Sequence, residues 1–366
     1  MVSLRIAIAG TRGIPARYGG FETFAEQLSA RLAARGHDVA VYCRDPESGD
    51  RTTDGVERIV LPALRHKYLE TVSHTLLSSL DALRRDFDVV LLCNAANAFV
   101  LPLLRAARIP VAINVDGIER HRRKWNVLGK AVYAIGESFS ALFASRVVAD
   151  ANVIADYYRG RYGIEPVMIP YGAEFPIEDD SDVLGRLGIQ SANYILYVSR
   201  FEPENNPLEV VKAYERLPGT PPPLVMLGSA SYARDLESEL HRHQSDRVLF
   251  PGALFGADYR TLQRNALVYI QATEVGGTHP AMIEAMASGG CVLANDTPEN
   301  REVGGDTVGY FTLRQSETLS GTLQGCLKAP AMQAQMRTAA RARARETYGW
   351  AAVTDAYERL FEEIAR

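Results

Sequence analysis

Residues 271–286 read QATEVGGTHPAMIEAM, an order of residue types suited to holding an anion. Gly276 and Gly277 turn the chain, and Pro280 fits the first position of a helix, where its missing N–H costs nothing. The amides of Gly277, Thr278, His279 and the first helical turn are then left as donors at a positive helix terminus. Glu284 falls four residues into that helix, where a carboxylate either accepts hydrogen bonds from a ribose diol or stands as a surface charge. Its neighbours Met282, Ile283, Ala285 and Met286 read as buried. The loop GTRGIPARYGGFETF (10–24) repeats the design, with Gly19 and Gly20 at the mouth of an amphipathic helix. Its glycine spacing departs from the dinucleotide pattern G-x-G-x-x-G, and a plain tight turn is the competing reading. Arg200 ends the run YILYVSR, where a guanidinium can grip a diphosphate bidentately.

These loops need strands to carry them. LRIAIA (4–9), DVAVYC (38–43), DVVLLCN (88–94), PVAINVD (110–116) and RVVADA (146–151) read as short buried strands. Phe21, Phe24, Ala25, Leu28 and Leu32 recur at helical spacing and predict a helix over 21–34, stopped by Gly36. A second series begins at YILYVSR (194–200) and continues through LVMLGS, RVLFPGA, LVYIQA and CVLAND. The acidic PIEDDSDVLGRLG (176–188) reads as the linker between the two series. Such alternation predicts an α/β chain of two doubly wound parallel-sheet domains, with ligands at the carboxyl ends of the strands in a cleft between them.

The length of 366 residues, with 47% apolar and 23% charged, fits two globular domains. No apolar run approaches the roughly 20 residues of a membrane span. MVSLRIAIAG reads as a first strand rather than a signal peptide. Cys43, Cys93, Cys291 and Cys326 form no C-x-x-C pair and read as reduced core residues, which predicts a cytoplasmic protein. Residues 1–175 carry 22 Lys and Arg against 19 Asp and Glu, and the remainder 18 against 25. The basic first half suits an anionic neighbour such as a phospholipid surface, or is ordinary scatter.

With one phosphate-accepting loop per domain, the chain resembles the retaining glycosyltransferases of family 4, which have two Rossmann-like domains in the GT-B arrangement. Its GG-x-E loop (Gly19, Gly20, Phe21, Glu22) and its E-A-M-A-x-G helix (Glu284 to Gly289) match motifs that border a nucleotide-sugar site in that family. GTRGIPARYGGFET, NVDGIE, VIADYY, RFEPENN and VGGTHPAMIEAMA are similar to a bacterial subgroup that includes rhamnosyltransferases of capsule and cell-wall polysaccharide assembly. The resemblance runs from Ile6 to about Tyr357. It implies an acceptor-side domain over 1–175, a nucleotide-sugar domain over 176–349, and a last helix (350–366) crossing back to the first domain. It also implies transfer to a lipid-linked saccharide at the cytoplasmic membrane face, with L-rhamnose from dTDP-rhamnose the first donor to consider and UDP- or GDP-hexoses the alternatives. No metal or other cofactor is implied.

Three departures from the family pattern stand out. A second glutamate usual eight residues before the helix glutamate is Gly276 here, with Glu274 nearby. A lysine usual after the strand-end arginine is Asn205. A sugar-facing histidine is replaced by Asp116 in NVDGIE, which makes Asp116 and Glu284 the candidate catalytic carboxylates. Together the changes suit a donor with altered hydroxyl demands, such as a deoxy sugar.

Other signals point elsewhere. Asp86-Phe87-Asp88 has the D-x-D form of a metal site but precedes its strand, at the end away from the ligand side. No His, Cys and carboxylate cluster has zinc spacing. Arg120, Arg122, Arg123 and Lys124 beside Trp125 suit an anionic membrane surface near the acceptor, or a solvated loop, and no nucleic-acid fold signature accompanies them. An NAD-dependent sugar-nucleotide oxidoreductase or epimerase and a noncatalytic nucleotide-sugar-binding protein are the readings from other classes.

Overall fold

Two parallel sheets carry the chain. The computed structural model describes residues 3–16, 19–44, 52–64, 69–121, 126–174, 181–230, 234–313 and 316–365. Of the described residues, one unit holds those up to Tyr171 together with 350–365, and the other holds those within 172–349.

The first unit contains β1 (Arg5–Ala9), β2 (Asp38–Cys43), β3 (Thr52–Thr53), β4 (Val56–Val60), β5 (Val89–Cys93), β6 (Val111–Asn114), β7 (Arg146–Ala149) and β8 (Val167–Met168). Their order is β3-β4-β2-β1-β5-β6-β7-β8, parallel except for the β3–β4 pair. The five residues of β5 are all buried, as expected of a strand covered on both faces. Helix Gly20–Ala34 connects β1 to β2, whereas helices Glu70–Ala82 and Val127–Phe143 lie on connections running the other way across the sheet. The direction of winding therefore switches between β1 and β5, and the loop after β1 sits at that switch point.

The second unit contains β9 (Ile195–Val198), β10 (Leu224–Leu227), β11 (Val248–Gly252), β12 (Val268–Gln271), β13 (Val292–Asn295) and β14 (Gly309–Phe311), in the order β11-β10-β9-β12-β13-β14. Here the switch lies between β9 and β12, paired in register from Val268↔Ile195 to Ile270↔Tyr197. The Arg200 loop follows β9 and the glycine–histidine loop follows β12, so both leave the carboxyl ends of adjacent strands.

All ten strands read from the sequence are present, β2 with the same bounds and the others trimmed by one to three residues. The edge pieces β3, β4, β8 and β14 were not legible, because two or three residues, or the half-polar VERIV of β4, give too little apolar pattern. Within the expected linker (176–188), residues 176–180 lie outside the described residues, and Val183–Leu187 is a short helix ended by Gly188 in the left-handed conformation. The four cysteines are free and buried. Among the described residues no helix is long and apolar enough to cross a membrane.

The last helix, Trp350–Ile364, packs on helix Gly20–Ala34 of the first unit. Tyr357 stacks near Phe24 at 5.4 Å, and Arg35 reaches Asp355 and Glu358, each at 2.6 Å. His37 Nε2 lies 2.9 Å from Glu358 Oε1.

Candidate active site

In the second unit the loops after β9 and β12 are built against each other. Asn206 Nδ2 donates to the Ala272 carbonyl at 2.9 Å, and the Glu274 amide donates to the Glu204 carbonyl at 2.9 Å. From the far side Asn300 Nδ2 donates to the Thr273 carbonyl at 3.3 Å. Asn205 is buried, and its Nδ2 donates to the carbonyl of Arg200 at 2.7 Å. It therefore braces the turn carrying Arg200, whose exposed guanidinium lies 3.6 Å from Glu202.

Helix Pro280–Ala287 starts where the proline predicts, and His279, at its N-cap, makes no side-chain capping bond. Gly276, Gly277 and Thr278 are buried, and Glu274 and His279 partly so. A Cβ on Gly276 would stand 2.4 Å from His279 Cε1. The imidazole thus occupies the space a side chain at 276 would need.

Glu284 is partly buried rather than a free surface charge. Burial pushes its carboxyl up to about 7, with Glu174 adding to the rise and Tyr259 and Arg260 opposing it. Tyr259 donates its hydroxyl proton to Glu284 Oε2, and Gln263 Nε2 reaches the Tyr259 oxygen at 2.9 Å and the Ala281 carbonyl at 3.2 Å. Tyr259 and Gln263 lie one turn apart on helix Gly256–Asn265. Their i, i+4 spacing was the only sequence signal for them, and nothing in it named Glu284 as the partner.

In the first unit the loop after β1 is pinned by Glu22. Its Oε1 accepts from the Arg12 amide at 2.9 Å, while burial keeps its carboxyl above the usual range. Gly13 has φ +108°, and a Cβ there would meet Cys43 Cα at 2.7 Å, so this glycine is required by the fold. Gly19 differs. It is the N-cap of helix Gly20–Ala34 in extended backbone, and its nearest neighbour for a Cβ is Glu22 Oε2 at 3.4 Å. The tight-turn reading therefore does not account for a glycine at 19.

Asp116 follows β6 with φ 53°, a left-handed conformation uncommon for a residue with a side chain. Its amide donates to Asn114 Oδ1 at 3.0 Å, and Asn114 Nδ2 donates to Tyr357 Oη at 3.0 Å. Tyr171 Oη reaches Asp116 Oδ1 at 3.4 Å. The carboxylate is thereby positioned from three separate parts of the sequence. Arg120 lies with Nε 3.4 Å from buried Glu137 and its guanidinium 5.3 Å from the Tyr157 ring centre. Arg122, Arg123, Lys124 and Trp125 lie outside the described residues. Asp88 accepts from the Arg5 amide at 2.7 Å, tying down the start of β1. Among the described residues no group of three His, Cys, Asp or Glu is placed to hold a metal ion.

Residues 19–172 match the family described as "Glycosyl transferase 4-like domain", and residues 185–343 match "Glycosyl transferases group 1". No curated protein matches the chain. Among solved structures, sucrose-phosphate synthase from Thermosynechococcus elongatus is similar with a TM-score of 0.84 and 20% identity, over 98% of both chains. HepE from Anabaena, in complex with UDP and glucose, is similar at 0.79 and 16% identity, over 98% of this chain and 100% of that one. The UDP-forming α,α-trehalose-phosphate synthase from Burkholderia xenovorans gives 0.75 and 13%, over 99% and 100%. These likenesses establish the two-domain GT-B fold expected from the sequence. The two family matches between them take in most of the chain, which therefore consists of a glycosyl transferase 4-like domain followed by a glycosyl transferases group 1 domain.

Proposed function

We propose that the protein transfers a sugar, with retention of anomeric configuration, from a nucleotide-sugar donor to a lipid-linked saccharide of surface polysaccharide, at the inner face of the cell membrane. The observation that carries the donor half is Glu284. A carboxyl held by Tyr259, one turn inside a helix whose N-terminus is formed by Gly277 to His279, suits a ribose diol with a diphosphate beyond it. In this reading Arg200, braced by Asn205, and the amides at Gly277 to His279 stabilise the charge that develops on the departing nucleoside diphosphate. The amides at Gly19 and Gly20 add donors from the first domain, and no cofactor enters the scheme. The acceptor oxygen bonds to the anomeric carbon as the bond to the phosphate oxygen breaks. The acceptor proton passes to that phosphate oxygen or to Asp116.

L-Rhamnose from dTDP-rhamnose is the donor to test first. The sugar-facing glutamate of the family is absent at Gly276, and an imidazole takes its space, which suits a sugar with fewer hydroxyls to satisfy. Glu274 is the remaining carboxylate in this loop. A UDP-hexose is the second donor to test, since HepE has been solved with UDP-glucose at a TM-score of 0.79.

The test is nucleoside-diphosphate release from dTDP-rhamnose, UDP-glucose, UDP-N-acetylglucosamine and GDP-mannose, with and without a lipid-linked saccharide pool. Acceptor-dependent release from one donor is expected. Donor binding without release in any combination would favour a noncatalytic binding protein.

A further inference from the structure

Two of the four cysteines touch. Cys291 immediately precedes β13, and Cys326 lies in the last turn of helix Ser316–Leu327. Their sulfur atoms are 3.5 Å apart, and both residues are buried. The contact joins positions 35 residues apart in the chain. Each backbone is held in place. The Cys291 carbonyl accepts from the Tyr269 amide at 2.8 Å, and the Cys326 carbonyl accepts from Gln333 Nε2 at 2.7 Å. Cys43 and Cys93, by contrast, lie on β2 and β5 with β1 between those strands.

The surroundings make the two touching sulfurs unequal. The hydrogen bond from the Cys291 thiol and the charge of Arg337 hold the Cys326 thiol below its ordinary value, against the opposing effect of burial. The same contact, together with burial, pushes the Cys291 thiol up. Arg337 is fixed in position, its Nη2 donating to the carbonyls of Ala266 at 3.0 Å and Leu267 at 2.6 Å. A thiolate beside a fixed cation is the nucleophile of a pair, and a thiol in contact with it resolves the product. Buried thiols are usually inert, so the route to the sulfur matters. Gly325 and Lys328, which flank Cys326, are exposed, and the last turn of a helix opens more readily than its middle.

We propose that Cys291 and Cys326 form a modification site, a thiol pair that a small hydroperoxide converts reversibly into a disulfide. With hydrogen peroxide, the Cys326 thiolate attacks one oxygen and the O–O bond breaks. The departing hydroxide takes the proton that Cys326 gave up and leaves as water. The Cys291 sulfur then attacks the sulfenic sulfur at 326, the S–O bond breaks, and a second water leaves with the Cys291 proton. Two thiols and one peroxide become one disulfide and two waters, the sulfurs giving up two electrons. The bond closes a loop holding β13, helix Pro298–Gly304 and β14, and so constrains the unfolded chain. Cys291 stands at the amino end of β13, whereas the loops of Arg200 and of Gly277 to His279 leave the carboxyl ends of strands parallel to it. The site is therefore independent of the donor and of the function proposed above.

Treating the reduced full chain with hydrogen peroxide, unfolding it in iodoacetamide and mapping the unreduced peptides tests the pair. One disulfide joining Cys291 to Cys326 is expected, with Cys43 and Cys93 alkylated and the link reversed by dithiothreitol. The oxidised protein should have a higher Tm, and its affinity for UDP or dTDP by calorimetry should match that of the reduced protein. In C291S, dimedone should trap a sulfenic acid at Cys326, whereas C326S should leave Cys291 unlabelled. C291A supplies the same comparison should the serine unfold the second unit. Four intact thiols after treatment, or a disulfide through Cys43 or Cys93, would overturn the pair. Sulfinic acid at Cys326 with no link would remove Cys291 as its partner and overturn the proposal equally. Dimedone labelling of Cys291 in C326S would overturn Cys326 as the attacking sulfur.

Discussion

Glu284 shows what a single residue contributes. Its carboxyl ordinarily titrates near 4.5, and in the folded protein burial moves that to about 7. A raised acid costs folding stability once the unfolded form ionises, and the full cost is present above the folded value. Glu284→Gln should therefore raise Tm at pH 8, by an amount equivalent to about 1–3 kcal/mol, while removing nucleotide affinity. Thermal melts at pH 5 and pH 8, with calorimetry alongside, check both signs. Tyr259→Phe removes a hydrogen bond that favours the ionised form, so nucleotide affinity should reach its plateau at a higher pH than in the parent. Tyr269, Arg260 and Glu174 also act electrostatically in this neighbourhood and remain in place in that variant. His279→Ala should lower kcat/KM for the preferred donor by roughly tenfold with little change in Tm, because the ring lies over Gly276 rather than in the core. Asp116→Asn, measured with saturating donor, should lower kcat roughly a hundredfold if the carboxylate takes the acceptor proton.

At the scale of elements, strands and the helices that follow them were legible because a parallel strand buried on both faces is a continuous apolar run. The start at Pro280 and the stop at Gly36 were equally local. Helix Glu70–Ala82 misleads that kind of reading, burying His74, Thr75, Ser78 and Ser79 and exposing Leu76 and Leu80, since periodicity locates an apolar face but not the side on which it lies. His74 and Glu137 can be buried only because Cys43, Tyr157 and Tyr162, distant in sequence, supply their partners. The C-terminal helix is held by a comparable cluster. Burial raises the Glu358 carboxyl, but hydrogen bonds from His37 and Arg35 outweigh it and leave the group below its ordinary value. Such a group stabilises the fold above its unfolded value near 4.5, and that contribution is lost as pH falls through the folded value. Glu358→Gln should cost about 1–3 kcal/mol at pH 7 in denaturant unfolding, and the gap from the parent should narrow toward pH 3.

On the scale of the whole molecule, the first unit is discontinuous and the second is one unbroken stretch. Ending the chain after Gly349 removes Trp350, Val353, Tyr357, Leu360 and Phe361, five buried apolar side chains of the first unit. At about 1.5–3 kcal/mol each, their loss exceeds what a domain can spare. The truncated protein should lose the thermal transition of the first unit yet still bind nucleotide through residues 172–349, as calorimetry would show. Local order along the chain determined the α/β class, the ten longer strands, the helix starts near Phe21 and at Pro280, and the residue types able to hold a diphosphate. Those properties depend on neighbours a few positions away, so one sequence suffices to read them. Only the tertiary structure decided that Tyr259 holds Glu284, that His279 fills the space over Gly276, that Tyr357 positions Asn114 beside Asp116, and that Leu76 and Leu80 turn outward. Each of these depends on which distant segments meet, and burial and hydrogen-bond partners exist only once they have met.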